Sequence, residues 1–341
     1  MPVVSVVMPT YNRREWVKIM IDSVLVQTYQ DWELIVVDDG SSDGTVELLE
    51  EYSKQDHRIK FIKRESLPKG AQTCRNIGFN ESIGTYVIFF DSDDYLPSHT
   101  LFQRVKYMEE HKELDFAVFP FASFYEDPHI CNGILRGAVK MKGNDLNMFM
   151  YSSLPFVVWN NIYKREALVK NKILWDDQIL SLQDADFNMQ TLRSNMKYAY
   201  AESAQVDYHF RIGNSSHQHI SQKIKSEAHF NSHLYFLNKE LESLSKEWIN
   251  KHKHVVRWCF AHKFLLSVEC NNENYKKSLL NIARKYEVYK LIKRDISLFQ
   301  FANNKLKMSI RWAKYLTYPA YMCSLILKER KRYYLVTKYH M

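Results

Sequence analysis

Glu33–Ser42 reads ELIVVDDGSS, an apolar run that ends in two carboxylates, a glycine and two serines. Branched apolar residues in succession suit a strand buried on both faces, as in a parallel sheet, and Asp-Gly-Ser-Ser is loop chemistry. The same passage occurs on either side: VVSVVMPTYN at 3–12 ends in Pro-Thr-Tyr-Asn, and YVIFFDSDD at 86–94 ends in Asp-Ser-Asp-Asp. In an open parallel sheet the ligand crevice lies outside the carboxyl ends of the strands. Three motifs at three strand ends therefore converge on one pocket.

Working outward, runs at 3–8, 33–38, 59–63, 86–90 and 115–121 are strand-like, and segments 14–26, 43–54, 70–82 and 98–111 have helical spacing. Alternation of this kind implies right-handed crossovers and a doubly wound α/β sheet. Ser42 or Asp43 is placed to cap the helix near Thr45, with Glu47 in its first turn, and Ser98 to cap the helix after Pro97. Residues 157–168, VVWNNIYKREAL, read as a strand turning into a helix, and 181–194, SLQDADFNMQTLRS, as a helix with Asp184 and Asp186 in its first turn. Long helical periods at 223–248 and 252–270, with no strand signals, mark a separate helical module. The expected division is a domain at 1–220 and a helical module at 221–341.

At 341 residues the chain can bury a substantial core, and 46% hydrophobic residues exclude a disordered protein. Its net charge of +8 is concentrated. From Lys305 to Met341 there are nine Lys or Arg and one acid, Glu329, which leaves 38 bases and 38 acids elsewhere. Five separate cysteines (74, 131, 259, 270 and 323) form no CxxC pair, so neither a zinc site nor a disulfide framework is indicated and a reducing cytoplasm is the simpler setting. No signal peptide is expected ahead of Val3, and the apolar stretch 318–327 is too short to span a bilayer.

VVSVVMPTYNR, WELIVVDDGSSDGT, GAQTCRNIGF, YVIFFDSDDYL, VVWNNIYKREAL and SLQDADF, in this order, resemble the motif series of inverting family 2 glycosyltransferases of the GT-A fold, over about residues 1–216. The resemblance implies a GT-A nucleotide-diphospho-sugar transferase fold with a doubly wound mixed sheet, followed here by the helical module. It places Pro9, Thr10 and Tyr11 at a uracil and Asp39 as acceptor from the base, a role that suits a carboxylate because it only accepts. Asp38 and Asp39 are alternatively the end of a strand and the cap of the next helix. Arg75 would lie against the base or the diphosphate. Asp91-Ser92-Asp93 resembles the DxD motif, whose oxygen donors suit Mg²⁺ or Mn²⁺ on the diphosphate of a UDP-sugar. Asp93 would be the direct metal ligand, Asp91 would touch the ribose or a metal-bound water, and Asp94 would bind an acceptor or donor hydroxyl.

Inverting transfer needs a base for the acceptor hydroxyl. Asp184 matches the family's base, preceded by Gln183 where many relatives have Glu. Asp186 is the alternative, two residues on and on another helix face. Trp159 and Asn160 would supply a sugar-stacking face and a hydroxyl partner. Tyr208–Ser216 resembles the segment that closes over the diphosphate, with Arg211 pairing phosphate oxygens and with His209 and His217 left open as metal contacts.

The tail interleaves Trp312, Tyr315, Tyr318, Tyr321, Tyr333 and Tyr334 with basic residues. Such a pattern fits an anionic membrane surface, and ordinary helix packing is the alternative. No nucleic-acid module is recognisable. The implied setting is the cytoplasmic face of the membrane, held peripherally, with a glycan or polyprenyl-diphosphate-linked acceptor in polysaccharide assembly and with a homo-oligomer compatible. The competing class is a non-catalytic nucleotide-sugar-binding or scaffold protein, which a UDP-sugar hydrolysis assay separates from an enzyme.

Overall fold

The structure is a computed structural model that describes residues 1–131, 144–150, 154–212, 226–269 and 272–301. The basic tail, the segment 213–225 with His217, and Cys270 and Cys323 lie outside the described residues. The chain divides into two compact units, one of Met1–Asp145, Leu154–Asp177 and Gln183–His217, the other of Leu146–Ser153, Gln178–Leu182 and Gln218–Met341.

The first unit begins as the alternation predicts: β1 (Val4–Thr10), α1 (Arg14–Leu25), β2 (Trp32–Asp38), α2 (Thr45–Gln55), β3 (Ile59–Lys63), α3 (Ala71–Asn80), β4 (Tyr86–Phe89) and α4 (Thr100–Glu110). All seven residues of β1 and of β2 are buried, which is why their sequences are mostly apolar, and the buried Ser5 hydroxyl donates to Glu33 Oε1 at 2.6 Å. Helix α1 buries Val17, Met20, Ile21 and Val24, a stripe at helical spacing. The predicted caps are only partly realised. Asp43 accepts from the Thr45 amide at 3.1 Å, although Gly44 holds the N-cap position, and the N-cap of α4 is His99, which makes no side-chain cap.

Beyond α4 come β5 (Phe116–Val118), β6 (Ala122–Phe124), α5 (Asp145–Met150), a 3-10 turn Val158–Asn160, β7 (Asn161–Lys164), α6 (Arg165–Lys170), α7 (Gln183–Arg193), β8 (Tyr198–Tyr200) and β9 (His209–Arg211). The main sheet runs β3-β2-β1-β4-β7-β5-β8. Strands β1 to β4 pair in parallel, whereas β7 is antiparallel to both neighbours and makes the sheet mixed. The run 115–121 is not one strand. Pro120 removes a ladder donor, so β5 stops at Val118 and the chain re-enters as β6, which pairs with β9 in a separate parallel ribbon.

The second unit takes all of α5 but Asp145, and contains α8 (Glu227–Ser243), α9 (Lys246–Lys251), α10 (Lys253–Glu269), α11 (Glu273–Lys285) and α12 (Tyr289–Gln300). The expected helix over 223–248 breaks because Ser245 caps a new one, accepting from the Trp248 amide at 3.0 Å. Phe236, Leu237, Val256, Phe260, Leu279 and Phe299 are buried in this unit. Among the described residues no helix is long and apolar enough to cross a membrane.

One ion pair locks the first unit across distant segments. The Arg104 and Asp207 side chains are fully buried, with Nε to Oδ2 at 2.8 Å and Nη2 to Oδ1 at 2.7 Å. Arg104 also donates to the Trp159 and Asn161 carbonyls at 3.0 and 3.2 Å. Removing the cation strands a buried carboxylate and two carbonyls, so Arg104→Met is expected to destabilise the protein by about 3–5 kcal/mol. Denaturant unfolding of the variant checks this, and a change near zero would contradict it.

Candidate active site

Strands β1, β2, β3 and β4 are parallel, so their carboxyl ends share one edge, where Thr10, Asp38, Lys63 and Phe89 are the last strand residues. The first two motifs are tied together there. The Asn12 amide donates to Ser41 Oγ and the Ser42 amide to Asn12 Oδ1, both at 2.8 Å, and the Asp39 amide donates to the Thr10 carbonyl at 2.9 Å. Asp38 shapes its own loop: its carboxylate accepts from the Gly40 and Ser41 amides at 2.8 Å and from the Ser41 hydroxyl. Gly40, at φ +89°, gives the turn that makes this possible.

Asp39, the next residue, is buried at the strand edge with its carboxylate turned to other partners. Its Oδ1 accepts from Arg64 Nε and from the Gly70 amide at 3.1 Å. Pro9 and Thr10 are buried beneath, and Tyr11 is 45% exposed with Lys69 Nζ 3.6 Å from its ring centre. Helix α3 approaches β1 so closely that a Cβ at Gly78 would lie 2.5 Å from Val7 Cγ1. That packing carries Arg75 to the strand edge. Arg75 does not end in open space as a diphosphate contact: its Nη2 donates to Asp91 Oδ1 at 2.5 Å, its Nη1 to Gln183 Oε1 at 3.1 Å, and its guanidinium lies 4.4 Å from the Trp175 ring centre.

At the end of β4, Asp91 and Asp93 are partly open, and Arg13 stands 3.8 Å from Asp93. Ser92 is buried. Asp94 corrects the expectation of a hydroxyl contact. It is 1% exposed, and its oxygens accept from the Tyr208 hydroxyl at 2.6 Å and the Arg211 amide at 2.7 Å. Burial, then the charges of Asp93 and Asp91, push its pKa well above the usual carboxylate range. Asp91 and Asp93 are carboxylates at this end of β4 that stay partly open, and among the described residues no group of three or more His, Cys, Asp or Glu could hold a metal.

Arg211 also differs from expectation. Its Nε donates to the Asp93 carbonyl at 2.9 Å, its Nη1 to the Tyr125 carbonyl at 3.2 Å, and its guanidinium lies 3.7 Å from the Trp16 ring centre. Only Nη2 has no partner among the described residues. His209 Nδ1 lies 2.7 Å from the Pro128 carbonyl, which makes that nitrogen a donor, and burial lowers its pKa.

Asp184 opens α7 at the margin of a cavity of about 390 Å³ with mostly apolar walls, and the side chain is half-buried. Burial pushes its pKa up to about 6, Arg75 opposing and Asp91 adding. Asp186 is 1% exposed and accepts from Gln190 Nε2 at 2.8 Å, so it faces the interior as its position on the helix implies. Asn160 is fully buried, bonded to the Phe119 carbonyl and the Val157 amide, and offers no hydroxyl partner. Trp159 is 7% exposed, lies parallel to Tyr208 and Phe210 with centroids at 4.6 and 5.4 Å, and lines the same cavity as Asp184. Sequence reasoning missed Arg13, Arg64 and Lys69. Arg13 ends the first motif and Arg64 is the residue after β3, so a strand-end reading extended to cations would have found both.

Residues 5–170 match the family described as Glycosyl transferase family 2. The uncharacterized glycosyltransferase EpsJ of Bacillus subtilis (strain 168) is 26% identical over 318 residues, covering 89% of each chain. The putative teichuronic acid biosynthesis glycosyltransferase TuaG of the same organism is 40% identical over 109 residues, which is 32% of this chain and 43% of TuaG. Among solved structures, S. aureus TarS 1-349 superposes with a TM-score of 0.64 at 19% identity, covering 93% of this chain and 89% of that one. Its complex with UDP-GlcNAc gives 0.63 at 20% identity, with the same coverage. These likenesses show the GT-A fold.

Proposed function

Because this chain belongs to glycosyl transferase family 2, matched over residues 5–170, we propose that it transfers a sugar from a UDP-sugar, with inversion and with a divalent metal, to a hydroxyl of a glycan or polyprenyl-diphosphate-linked acceptor in surface-polysaccharide assembly. That it is a glycosyltransferase using a nucleotide sugar follows from the family. The finer reading rests above all on one observation: Asp184 is a half-buried carboxylate in an apolar cavity, next to Gln183, which Arg75 bridges to Asp91 at the end of β4.

In this reading Pro9, Thr10, Tyr11 and Asp39 hold the uracil, with Arg64 and Gly70 orienting the Asp39 carboxylate. Asp93 and Asp91 would hold Mg²⁺ or Mn²⁺, which when bound stabilises the charge of the departing diphosphate. Ser92 keeps the two carboxylates on one turn, and Arg211 stiffens that turn through the Asp93 carbonyl. Asp184 takes the proton of the acceptor hydroxyl as its oxygen attacks the anomeric carbon, and the bond to UDP breaks on the opposite face. In this reading residues 1–220 carry the transferase chemistry, apart from Leu146–Ser153 and Gln178–Leu182, which group with the second unit, and 221–341 make up the C-terminal module. Its basic aromatic tail holds the protein on the cytoplasmic face of the membrane.

A base must be ionised, and Asp184 titrates at about 6, so kcat/KM should rise with pH through about 6 and level off above it. Asp184→Asn keeps the shape and should lower kcat by about 10²–10⁴ with UDP affinity nearly unchanged. A dead Asp186→Asn beside an active Asp184→Asn would reverse the two roles. For the metal, Asp93→Ala should abolish metal-dependent UDP binding by calorimetry while thermal unfolding stays close to wild type; undiminished UDP binding in excess chelator would rule the metal out. For the tail, full-length protein should co-sediment with anionic vesicles at low salt and come off as salt screens the charge. Protein that stays in the supernatant at low salt would end the membrane reading.

A further inference from the structure

The β6–β9 ribbon pairs Ser123 with Phe210 in register. Side chains alternate along each strand, so Phe121 and Ser123 share one face with Phe210 and Ile212 across from them. All four line the cavity that holds Asp184, together with Leu154 and Phe156. Ala122 and Phe124 belong to the opposite face and are buried there. Among the described residues that line it, Ser123 and Asp184 bring polar side chains besides the Trp159 indole.

Ser123 is 4% exposed and its hydroxyl has no hydrogen-bond partner among the described residues. A buried, unpaired hydroxyl in an apolar wall is costly unless a ligand satisfies it. The cavity, at about 390 Å³, has room for one substituted sugar ring and not for a long oligosaccharide. Thr10, Asp39, Asp91 and Asp93 do not line it, so it belongs to the side of Asp184 and not to the nucleotide. A plain hexose would bury several hydroxyls against Phe121, Phe210 and Leu154, where among the described lining residues Ser123 alone brings a hydroxyl. An N-acetylamino group matches better, because its methyl suits the aromatic wall and its carbonyl can accept from Ser123.

We infer that the acceptor residue seated beside Asp184 is an N-acetylamino sugar, recognised by the Ser123 hydroxyl and the apolar wall of Phe121, Phe210 and Ile212. This rests on the transferase reading, since the base marks the acceptor side. The test titrates full-length protein, in saturating UDP and Mg²⁺, with the methyl glycosides of N-acetylglucosamine, N-acetylgalactosamine and N-acetylmannosamine and of glucose, galactose and mannose. At least one N-acetylated glycoside should bind about tenfold tighter than its parent hexoside, the worth of one hydrogen bond and a buried methyl. Ser123→Ala should narrow that gap to about twofold, and Ser123→Thr, which keeps the hydroxyl, should preserve most of it. Equal affinity for the two sets, no binding of either while UDP still binds, or a preference that survives Ser123→Ala overturns the subsite and leaves the donor half of the reading intact. Failure of the wild type to bind any nucleotide sugar overturns both.

Discussion

A fully buried arginine–aspartate pair governs where the second half of the first unit can go. Arg104 on α4 cannot be left without its carboxylate, nor Asp207 without its cation, because an isolated charge in that interior is far more costly than any local rearrangement. The guanidinium also collects the Trp159 and Asn161 carbonyls, so the segment before β7 and the segment before β9 are drawn to the same helix. The residues just after Asp207 are thereby set down on the acidic loop after β4. Tyr208 reaches Asp94, the Arg211 amide reaches the same carboxylate, and the Arg211 guanidinium reaches the Asp93 carbonyl.

The electrostatics of the strand edge obey a consistent scheme. Asp39, Asp91 and Asp93 each have an arginine beside them, Arg64, Arg75 and Arg13, at separations that run from direct hydrogen bonds to 3.8 Å. Asp94 is instead buried among neutral and backbone donors, and its charge is disfavoured. Asp184 lies between these extremes. It is only half-buried, and Arg75 partly offsets the desolvation that raises its pKa. Carboxylates gathered at one strand edge and one helix terminus thus differ in chemistry because their surroundings differ.

Several residues read from sequence as contacts for substrate prove to be internal supports. Asp94 and Asn160 sit in motifs that point to a ligand, and each is bonded to protein partners, whereas Trp159 packs on Tyr208 and also lines the cavity of Asp184. A motif establishes which residues are near the pocket. Whether a side chain faces into it depends on neighbours that are remote in sequence. Ser123 shows the converse, since nothing in PFAS distinguishes it, and its place on a cavity wall exists only because β6 pairs with β9.

What the sequence by itself determined is local: β1 to β4 with their helices, the three polar motifs at the carboxyl edge, the strand-to-helix passage at 157–168, and α7 with its two acids in the first turn. Apolar runs of four or more residues with loop chemistry behind them have few alternatives, and the parallel sheet results from the alternation. Tertiary structure alone decided the rest. The antiparallel insertion of β7, the break at Pro120 and the ribbon with β9 are choices among pairings that local propensity does not separate. The roles of Arg75, Arg104 and Arg211 depend on partners 108, 103 and 118 residues away, and a charge finds such a partner only once the chain has closed around it.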